Sequence, residues 1–420
     1  MGNLEIGLEI VTKSLTSVEK ATSIILENIP TLSSHEVPII NAFGRTLSQA
    51  VIAKISNPPE DVSSMDGYAI RNKDLKLGIK TFSIIDESIA GKKSIKTIGS
   101  GETIRIFTGA VLPDGSDRII IQEDVNFLSN KKISINEKKL DKSNFFVRKK
   151  GSDFKSNENL IEEGEILNAR KLSLAVASGN TWAEVRNKPR IAILSTGDEL
   201  IKFGDLTNHS IEDKIISSNG IFLHNFINEL GGEAFYLPTA KDNLESLSKI
   251  FQNANNYDLI ITTGGASVGD YDLVQTALNK DQFELFFWKI AMRPGKPVFF
   301  GKLSNTPLLG LPGNPVSTGV CAMIFLKKII QKFLGQKIDE DIDYMILNSN
   351  LDKNDHRQDY IRSKIIKNPN GNYTVEPFLK QDSSQISIFS KSDCFIIRKP
   401  HQNELKKGSK VPVLKPNYNI

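Results

Sequence analysis

The sequence predicts a multidomain α/β plus β protein: a doubly wound, mostly parallel α/β domain with short-stranded β regions before and after it. Three observations carry this expectation. At 420 residues the chain is too long for one ordinary domain and suggests about two to four. From Arg190 to Gly335, buried-strand patterns alternate with helical ones, the rhythm of a parallel sheet covered by helices on both faces. Between Val51 and Val147, and again after Lys337, short β-prone runs alternate with turn-forming residues.

Each element has its own warrant. Thr16 and Glu19 have capping-box spacing, and Val18, Ala21, Ile24, Ile25 and Ile29 recur at helical period, so a first helix is expected to run to Pro30. Thr81–Ile85, Thr103–Phe107 and Arg118–Ile121 read as strands of a small all-β module. A helix over Ala169–Ser178 stops at Gly179. In the α/β part, 191–194 reads as a buried strand, followed by the loop Ser195-Thr196-Gly197-Asp198-Glu199. A helix from Asn219 to Leu230 ends at Gly231-Gly232, a strand spans 234–237, and Asp242 caps the next helix. The strand at 258–261 runs into Thr262-Thr263-Gly264-Gly265. Further strands are expected at 297–300 and 308–311, the second leading through Pro312-Gly313-Asn314-Pro315 into a long helix that ends near Gly335. Strands at 344–347, 360–366, 373–377 and 394–398 then read as a small C-terminal β-barrel.

Composition narrows the class. Hydrophobic residues at 39% suffice for real cores, and 24% charged residues exclude a disordered chain. The net charge of +4 left by 53 basic and 49 acidic residues does not demand nucleic acid, but it allows a local basic pocket for an anionic small molecule. Cys321 and Cys394 are the only cysteines, which argues against a disulfide framework and fits a reducing cytoplasm. Glu5, Glu9 and Lys13 interrupt any signal-peptide core, and no apolar run approaches the roughly 20 residues that span a bilayer. A cytoplasmic protein without membrane or nucleic-acid partners is expected.

The glycine loops carry the chemistry. In the segment Thr262 to Asp272, glycines permit close backbone approach, the N–H groups of such a turn make a nest for phosphate, and Asp270 and Asp272 could hold Mg²⁺ on that anion. Taken alone, the loop is more simply a tight βα turn with a capping Asp. The Ser195–Glu199 loop at the same end of the expected sheet changes the balance, because ligands of such sheets bind beyond the carboxyl ends of the strands. Pro315 suits the first turn of its helix, whose N-terminus attracts anions, although taken alone such a proline is more often plain helix initiation. Trp288 to Pro297 holds Lys289, Arg293 and Lys296 in a segment that is either a solvated loop or an oxyanion clamp, and its two prolines favour the preorganised clamp. Asp66 in Ser63-Ser64-Met65-Asp66-Gly67 reads most simply as a turn residue, and Arg148 to Asp153 as a charged linker.

Six ordered motifs nevertheless resemble a known family. They are Ser64 to Ala69, Arg105-Ile106-Phe107-Thr108-Gly109-Ala110, Ser195 to Leu200, Gly264 to Asp272, Arg293-Pro294-Gly295-Lys296-Pro297, and Gly310 to Pro315. In this order the chain is similar to the molybdopterin molybdenumtransferases, the MoeA family that includes the E domain of gephyrin, over roughly Ala21 to Arg398. The resemblance implies four parts: residues 1–60 with 147–186 as a discontinuous elongated domain, 61–146 as an inserted β module, 187–337 as the molybdopterin-binding α/β domain, and 338–420 as a C-terminal barrel. It also implies a homodimer with a composite active site, in which the α/β domain of one subunit faces the β module of the other.

Function and site residues follow from the same resemblance. The implied reaction inserts molybdate into adenylylated molybdopterin and releases AMP with Mg²⁺, within molybdenum-cofactor biosynthesis. Asp66, Thr108, Asp153, Glu199, Asp242, Asp272 and Lys289 fall on the family's catalytic positions, with Glu199, Asp242 and Asp272 as the metal-holding acids. Gly197, Asp198, Gly264, Gly265, Ser267 and Gly269 would bind the pterin phosphate and nucleotide; Arg293, Lys296, Ser317 and Arg362 would hold molybdate. Pro312, Pro315 and Ser383 match further binding positions. Two departures stand out. Ser152 replaces a usual acid beside Asp153, and Arg293 stands where lysine is common, which keeps charge and changes donor geometry. The alternatives are the molybdopterin adenylyltransferase of the same α/β fold, which lacks the flanking β parts, and a non-catalytic scaffold like gephyrin. An adenylyltransferase and recipient molybdoenzymes are the implied partners.

Overall fold

The computed structural model describes residues 15–136, 138, 143–197, 200–201, 214–237, 254–264, 283–338 and 342–416. These fall into two compact units, Glu36–Val185 and Met1–His35 with Arg186–Ile420.

In the first unit a six-stranded sheet has the order 118–121, 67–70, 102–106, 81–88, 132–135, 125–129. Alternation sorts its side chains onto two faces. Ala69, Ile104 and Ile119 enter one buried cluster, while Tyr68, Ile120 and Ile133 enter another. A third core joins residues from before and after the β module, with Leu47 and Val51 packed against Ile161, Leu167 and Ala175. The segment read as a charged linker is built into this unit: Val147–Arg148 pairs with Val62–Ser63, and Lys149 bridges to Asp61 at 2.7 Å.

The second unit contains the α/β sheet: β1 (Arg190–Ser195), β2 (Glu233–Tyr236), β3 (Leu259–Thr263), β4 (Phe283–Trp288), β5 (Phe299–Leu303) and β6 (Thr306–Leu311), in the order 2-1-3-6-5-4. Strands β2, β1, β3 and β6 are parallel, whereas β5 and β4 add antiparallel at one edge. Periodicity did not separate β4 from its surroundings, since Phe283-Glu284-Leu285-Phe286-Phe287-Trp288 is a short apolar run without a helix-or-strand signature. The helix Asn219–Glu229 ends at the expected glycines. From Pro315 one helical rod runs through a π-turn at Ala322–Leu326 to Phe333.

The first helix, Val18–Glu27, is capped by Ser17, whose hydroxyl accepts from the Lys20 N–H, and not by Thr16. Thr16 is drawn away by the backbone: its N–H donates to Lys289 O at 3.0 Å, and its carbonyl accepts from Ala291. The helix also ends at Glu27, before Pro30. Val18, Ala21 and Ile25 are buried in the same cluster as Ile329, Ile330 and Phe333. Packing therefore groups residues 15–35 with the α/β part and not with residues 36–60.

The C-terminal part is a closed barrel. Its strands are β7 (Ile342–Leu347), β8 (Gln358–Lys367), β9 (Tyr373–Pro377), β10 (Cys394–Arg398) and β11 (Lys410–Leu414), hydrogen-bonded in the circular order 8-9-7-11-10 back to 8. The β11 strand was not foreseen, because Pro412 interrupts its pattern; the proline sits opposite Tyr344 in the ladder. Met292–Arg293 adds a short parallel strand to β8 and so ties the α/β loop to the barrel. No helix among the described residues is long and apolar enough to cross a membrane.

Candidate active site

A cleft of about 920 Å³ opens beyond the carboxyl ends of β1, β3 and β6, where the topology of the parallel strands places it. Thr196, Gly264, Lys289, Lys296, Pro312 and Ser317 are among its walls. Two of the three glycine loops expected to converge there are described only at their roots. Gly197 and Gly264 carry φ of 139° and 85°. A Cβ on Gly264 would lie 2.3 Å from the Thr196 carbonyl oxygen, so the loops from β1 and β3 touch backbone to backbone. Asp198, Glu199, Asp242, Gly265, Ser267, Gly269, Asp270 and Asp272 lie outside the described residues, and all three expected metal-holding acids are among them.

The third loop is held by side chains. Asn314 precedes Pro315 as the helix cap, yet its amide donates to Ser383 Oγ at 3.0 Å instead of capping the helix. The Val316 N–H donates to the Ser383 carbonyl at 3.3 Å. Asn219 donates to Gly313 O at 2.7 Å, and Thr318 Oγ1 to Pro312 O at 2.5 Å. Pro312, Pro315, Ser317 and Ser383 are thus brought together at one wall, and the barrel contributes Ser383.

Arg362 does not reach that cleft. It is 1% exposed, donating from Nε to Gln381 Oε1 at 3.1 Å and from Nη1 to the Asp382 carbonyl at 2.7 Å. Gln381 returns a hydrogen bond from Nε2 to the Arg362 carbonyl at 3.0 Å. This closed pair shapes the 381–384 loop, so Arg362 positions Ser383 from behind. Sequence reasoning missed Gln381, which gives no motif signal; only the folding back of the loop after β9 brings it to Arg362.

The cationic segment divides its three charges. Arg293 pairs with Asp359 and, at 3.2 Å, with Asp355, and its guanidinium also donates to Asn354. Its charge is therefore matched by barrel carboxylates, which a preformed oxyanion clamp would leave free. Burial pushes the Asp359 carboxyl above its ordinary value, opposed by the Arg293 guanidinium. Arg293 in turn is raised by its hydrogen bond to Asp359. Lys289 adopts φ 68° and lays its ammonium 3.8 Å from the Trp288 ring centroid. Among the described residues no carboxylate pairs with Lys289 or Lys296, and both line the cleft. Gly295, at φ 111°, leaves room for Cys321 Sγ, which a Cβ would approach to 2.4 Å. That thiol is fully buried and its pKa is pushed well up, which makes it packing and not a nucleophile.

Replacing Arg293 by Ala leaves Asp359 buried without its cation. A loss of about 3 kcal/mol is expected, the scale for breaking such a pair from one side. The sign with pH is definite. A carboxylate whose folded pKa is raised destabilises the fold once ionised, so the deficit is greatest near neutrality and shrinks as pH falls through the Asp359 titration. Denaturant midpoints for both proteins across pH measure it; a pH-independent deficit would show that the pairing is not its source.

On the other unit, Asp66 and Thr108 meet. The Thr108 N–H and hydroxyl both donate to Asp66 Oδ1 at 2.8 Å. These bonds, the backbone one foremost, hold the Asp66 carboxyl below its ordinary value, with a smaller effect from Arg105. The Asp-Gly turn read in the sequence is real, and it presents this carboxylate at the start of the strand Gly67–Ile70. Asp153 accepts from Asn57 Nδ2 at 2.9 Å through Oδ2.

Three family models divide the chain: the MoeA N-terminal region (domain I and II) matches residues 16–179, a probable molybdopterin binding domain 192–332, and the MoeA C-terminal region (domain IV) 344–415. A molybdopterin molybdenumtransferase of Haemophilus influenzae is 33% identical over 403 residues, spanning 95% of this chain and 98% of the relative. The chain belongs to the MoeA family. Another relative, the molybdopterin molybdenumtransferase of a Nostoc species, is 32% identical over 333 residues, covering 76% of this chain and 75% of its own length. The crystal structure of a molybdopterin biosynthesis MoeA protein from Pyrococcus horikoshii aligns with a TM-score of 0.82 at 29% identity, covering 96% of this chain and 99% of that one. The MoeA match extends through both described units, so the cleft wall and the Asp66–Thr108 turn belong to regions shared with these relatives.

Proposed function

We propose that this chain is a molybdopterin molybdenumtransferase, which uses molybdate and adenylylated molybdopterin, hydrolyses the adenylate with release of AMP, and leaves molybdenum on the pterin dithiolene. The observation that carries the reading is the relationship to enzymes of that name over 95% of the chain. The cleft supports it, because its described lining contains cations and hydroxyls and no carboxylate. That lining suits a tetrahedral dianion and a phosphorylated pterin.

Lys296, with Lys289 and Ser317, holds molybdate, and Arg293 serves as the strut that fixes their loop. The glycine turns at 195–199 and 264–272 bind the pterin phosphate and nucleotide. Glu199, Asp242 and Asp272 would hold Mg²⁺. Thr196 Oγ1, at the root of the first glycine turn, is buried without a hydrogen-bond partner among the described residues, a polar atom that suits an ion and its oxygen shell. Mg²⁺ supplies neutralisation of the charge that develops as the phosphoanhydride breaks. Fixing both reactants in one cleft replaces a bimolecular encounter with an effectively unimolecular step. Asp66 and Thr108 from the β module of a second subunit, with Asp153 from its discontinuous domain, act on the same reaction, in a cytoplasmic homodimer supplied by an adenylyltransferase and serving molybdoenzymes. The four-part division stands in this reading as 1–60 with 147–186, 61–146, 187–337 and 338–420, except that residues 15–35 pack with the α/β part.

Mass spectrometry of AMP and of the molybdenum-bearing pterin, with and without molybdate, tests the activity. Lys296→Ala should weaken molybdate binding at least about tenfold, as expected for one charge-assisted contact of roughly 1.5–3 kcal/mol, and should affect the adenylylated pterin less. Equal losses for both ligands would mean a diffuse field and no molybdate contact.

A further inference from the structure

Arg105 belongs to a motif shared with the Asp66–Thr108 turn, yet no step above uses it. Its guanidinium carbon lies 4.9 Å from the ring centroids of both Tyr68 and Phe107. Tyr68 faces Arg105 across the ladder, is 2% exposed, and is itself buttressed edge-on by Phe127. One end of the fork is fixed as Nη2 donates to Gln122 Oε1 at 2.7 Å; the approach of Nη1 to Gly67 O is a weak 3.5 Å. Two rings and an amide therefore hold a long side chain that would otherwise be free to rotate.

Among the described residues no carboxylate is within ion-pair distance of Arg105. Asp66 is near enough to feel the charge, but its Oδ1 already accepts twice from Thr108. A guanidinium that is immobilised, half-buried and unpaired retains a planar N–H edge suited to two oxygens of one group.

We propose that Arg105 binds a phosphoryl group of the substrate on the β module, beside the Asp66–Thr108 pair. This deepens the proposed function and rests on its assignment of that turn to the reaction. Arg105 is a binding residue in this account, separate in role from Asp66.

Arg105→Lys and Arg105→Gln, with thermal midpoints as a folding check, test it in the full-length protein. Lysine keeps the charge but loses the fork and the stacking. Phosphoryl binding predicts that KM for the adenylylated pterin rises about tenfold in the lysine variant and further in the glutamine variant, with kcat within about twofold. The inhibition constant of inorganic pyrophosphate should rise in parallel. A lysine variant with parental KM, and a glutamine variant in which only the acid limb of the kcat profile moves upward, would overturn the proposal in favour of a purely electrostatic influence on Asp66. Lower thermal midpoints with unchanged KM would overturn it in favour of a packing role. Parental turnover of Asp66→Asn would instead overturn the assignment of the turn to the reaction, while a raised KM in Arg105→Lys would still support the phosphoryl contact.

Discussion

Mixing two inactive variants, Asp66→Asn and Asp272→Asn, should restore turnover to about a quarter of the parental value once subunits have exchanged. Random exchange makes about half of the dimers mixed, and half of the sites in those dimers carry both acids. The Asp66 change is well suited to the experiment. Asparagine keeps a carbonyl oxygen where Thr108 donates twice, so the turn is expected to stay folded while the charge is lost. Each variant alone should be inactive. Steady-state AMP release before and after mixing gives the result, with mass-tagged subunits to verify exchange. Verified exchange without recovery would place both acids in the site of one chain, and the cross-subunit arrangement would be abandoned.

Gly264→Ala should be the most damaging single methyl group in the cleft. The added Cβ would stand 2.3 Å from the Thr196 carbonyl oxygen, a backbone atom that cannot rotate aside, and the residue sits at φ 85°. Left-handed strain and steric overlap together should cost on the order of 2–4 kcal/mol, and the loops leaving β1 and β3 would be driven apart. Turnover should fall by at least about a hundredfold, because a shift of 1 Å in a positioning group can cost that much. Gly313→Ala provides the contrast: its Cβ would meet Gly264 Cα at an ordinary 3.5 Å and Gly264 N at 4.0 Å. Unfolding midpoints and turnover of the pair decide the matter. Parental behaviour of Gly264→Ala would mean that the two loops are not locked together.

The parts of the fold that were legible in sequence are those with a local signal. The α/β alternation announced itself through buried runs such as Ile191-Ala192-Ile193-Leu194 and through glycines at helix ends. The β4 strand and the antiparallel turn-back of β5 did not, because strand direction is set by which neighbour a strand meets. The first helix was clear as a helix, but its docking on the 315–333 rod is a tertiary fact. Among site residues, the motifs located Lys289, Lys296, Pro312, Pro315 and Ser317 on one cleft. They could not reveal that Asp355 and Asp359, some sixty positions downstream, neutralise Arg293. Nor could they show that Gln381 ties Arg362 to the loop it supports. Asp66 and Thr108 were paired only through the family resemblance; their contact depends on the turn preceding one strand lying beside the end of another.

The closed ring of the C-terminal barrel bears on how such an enzyme can change. Strands β9 and β10 are not bonded to each other; each pairs with β8, on opposite sides of it. The segment between them, which carries Gln381, Ser383 and the short helix Ile386–Phe389, therefore contributes nothing to the ladder that closes the ring. It can lengthen, shorten or be exchanged while every rung of the barrel remains, provided that Arg362 keeps an acceptor and Gly319 keeps the gap that receives the Phe389 ring. One wall of the cleft is thus a replaceable cartridge on a rigid mount. Relatives needing a different ligand preference could explore it there without risking the fold.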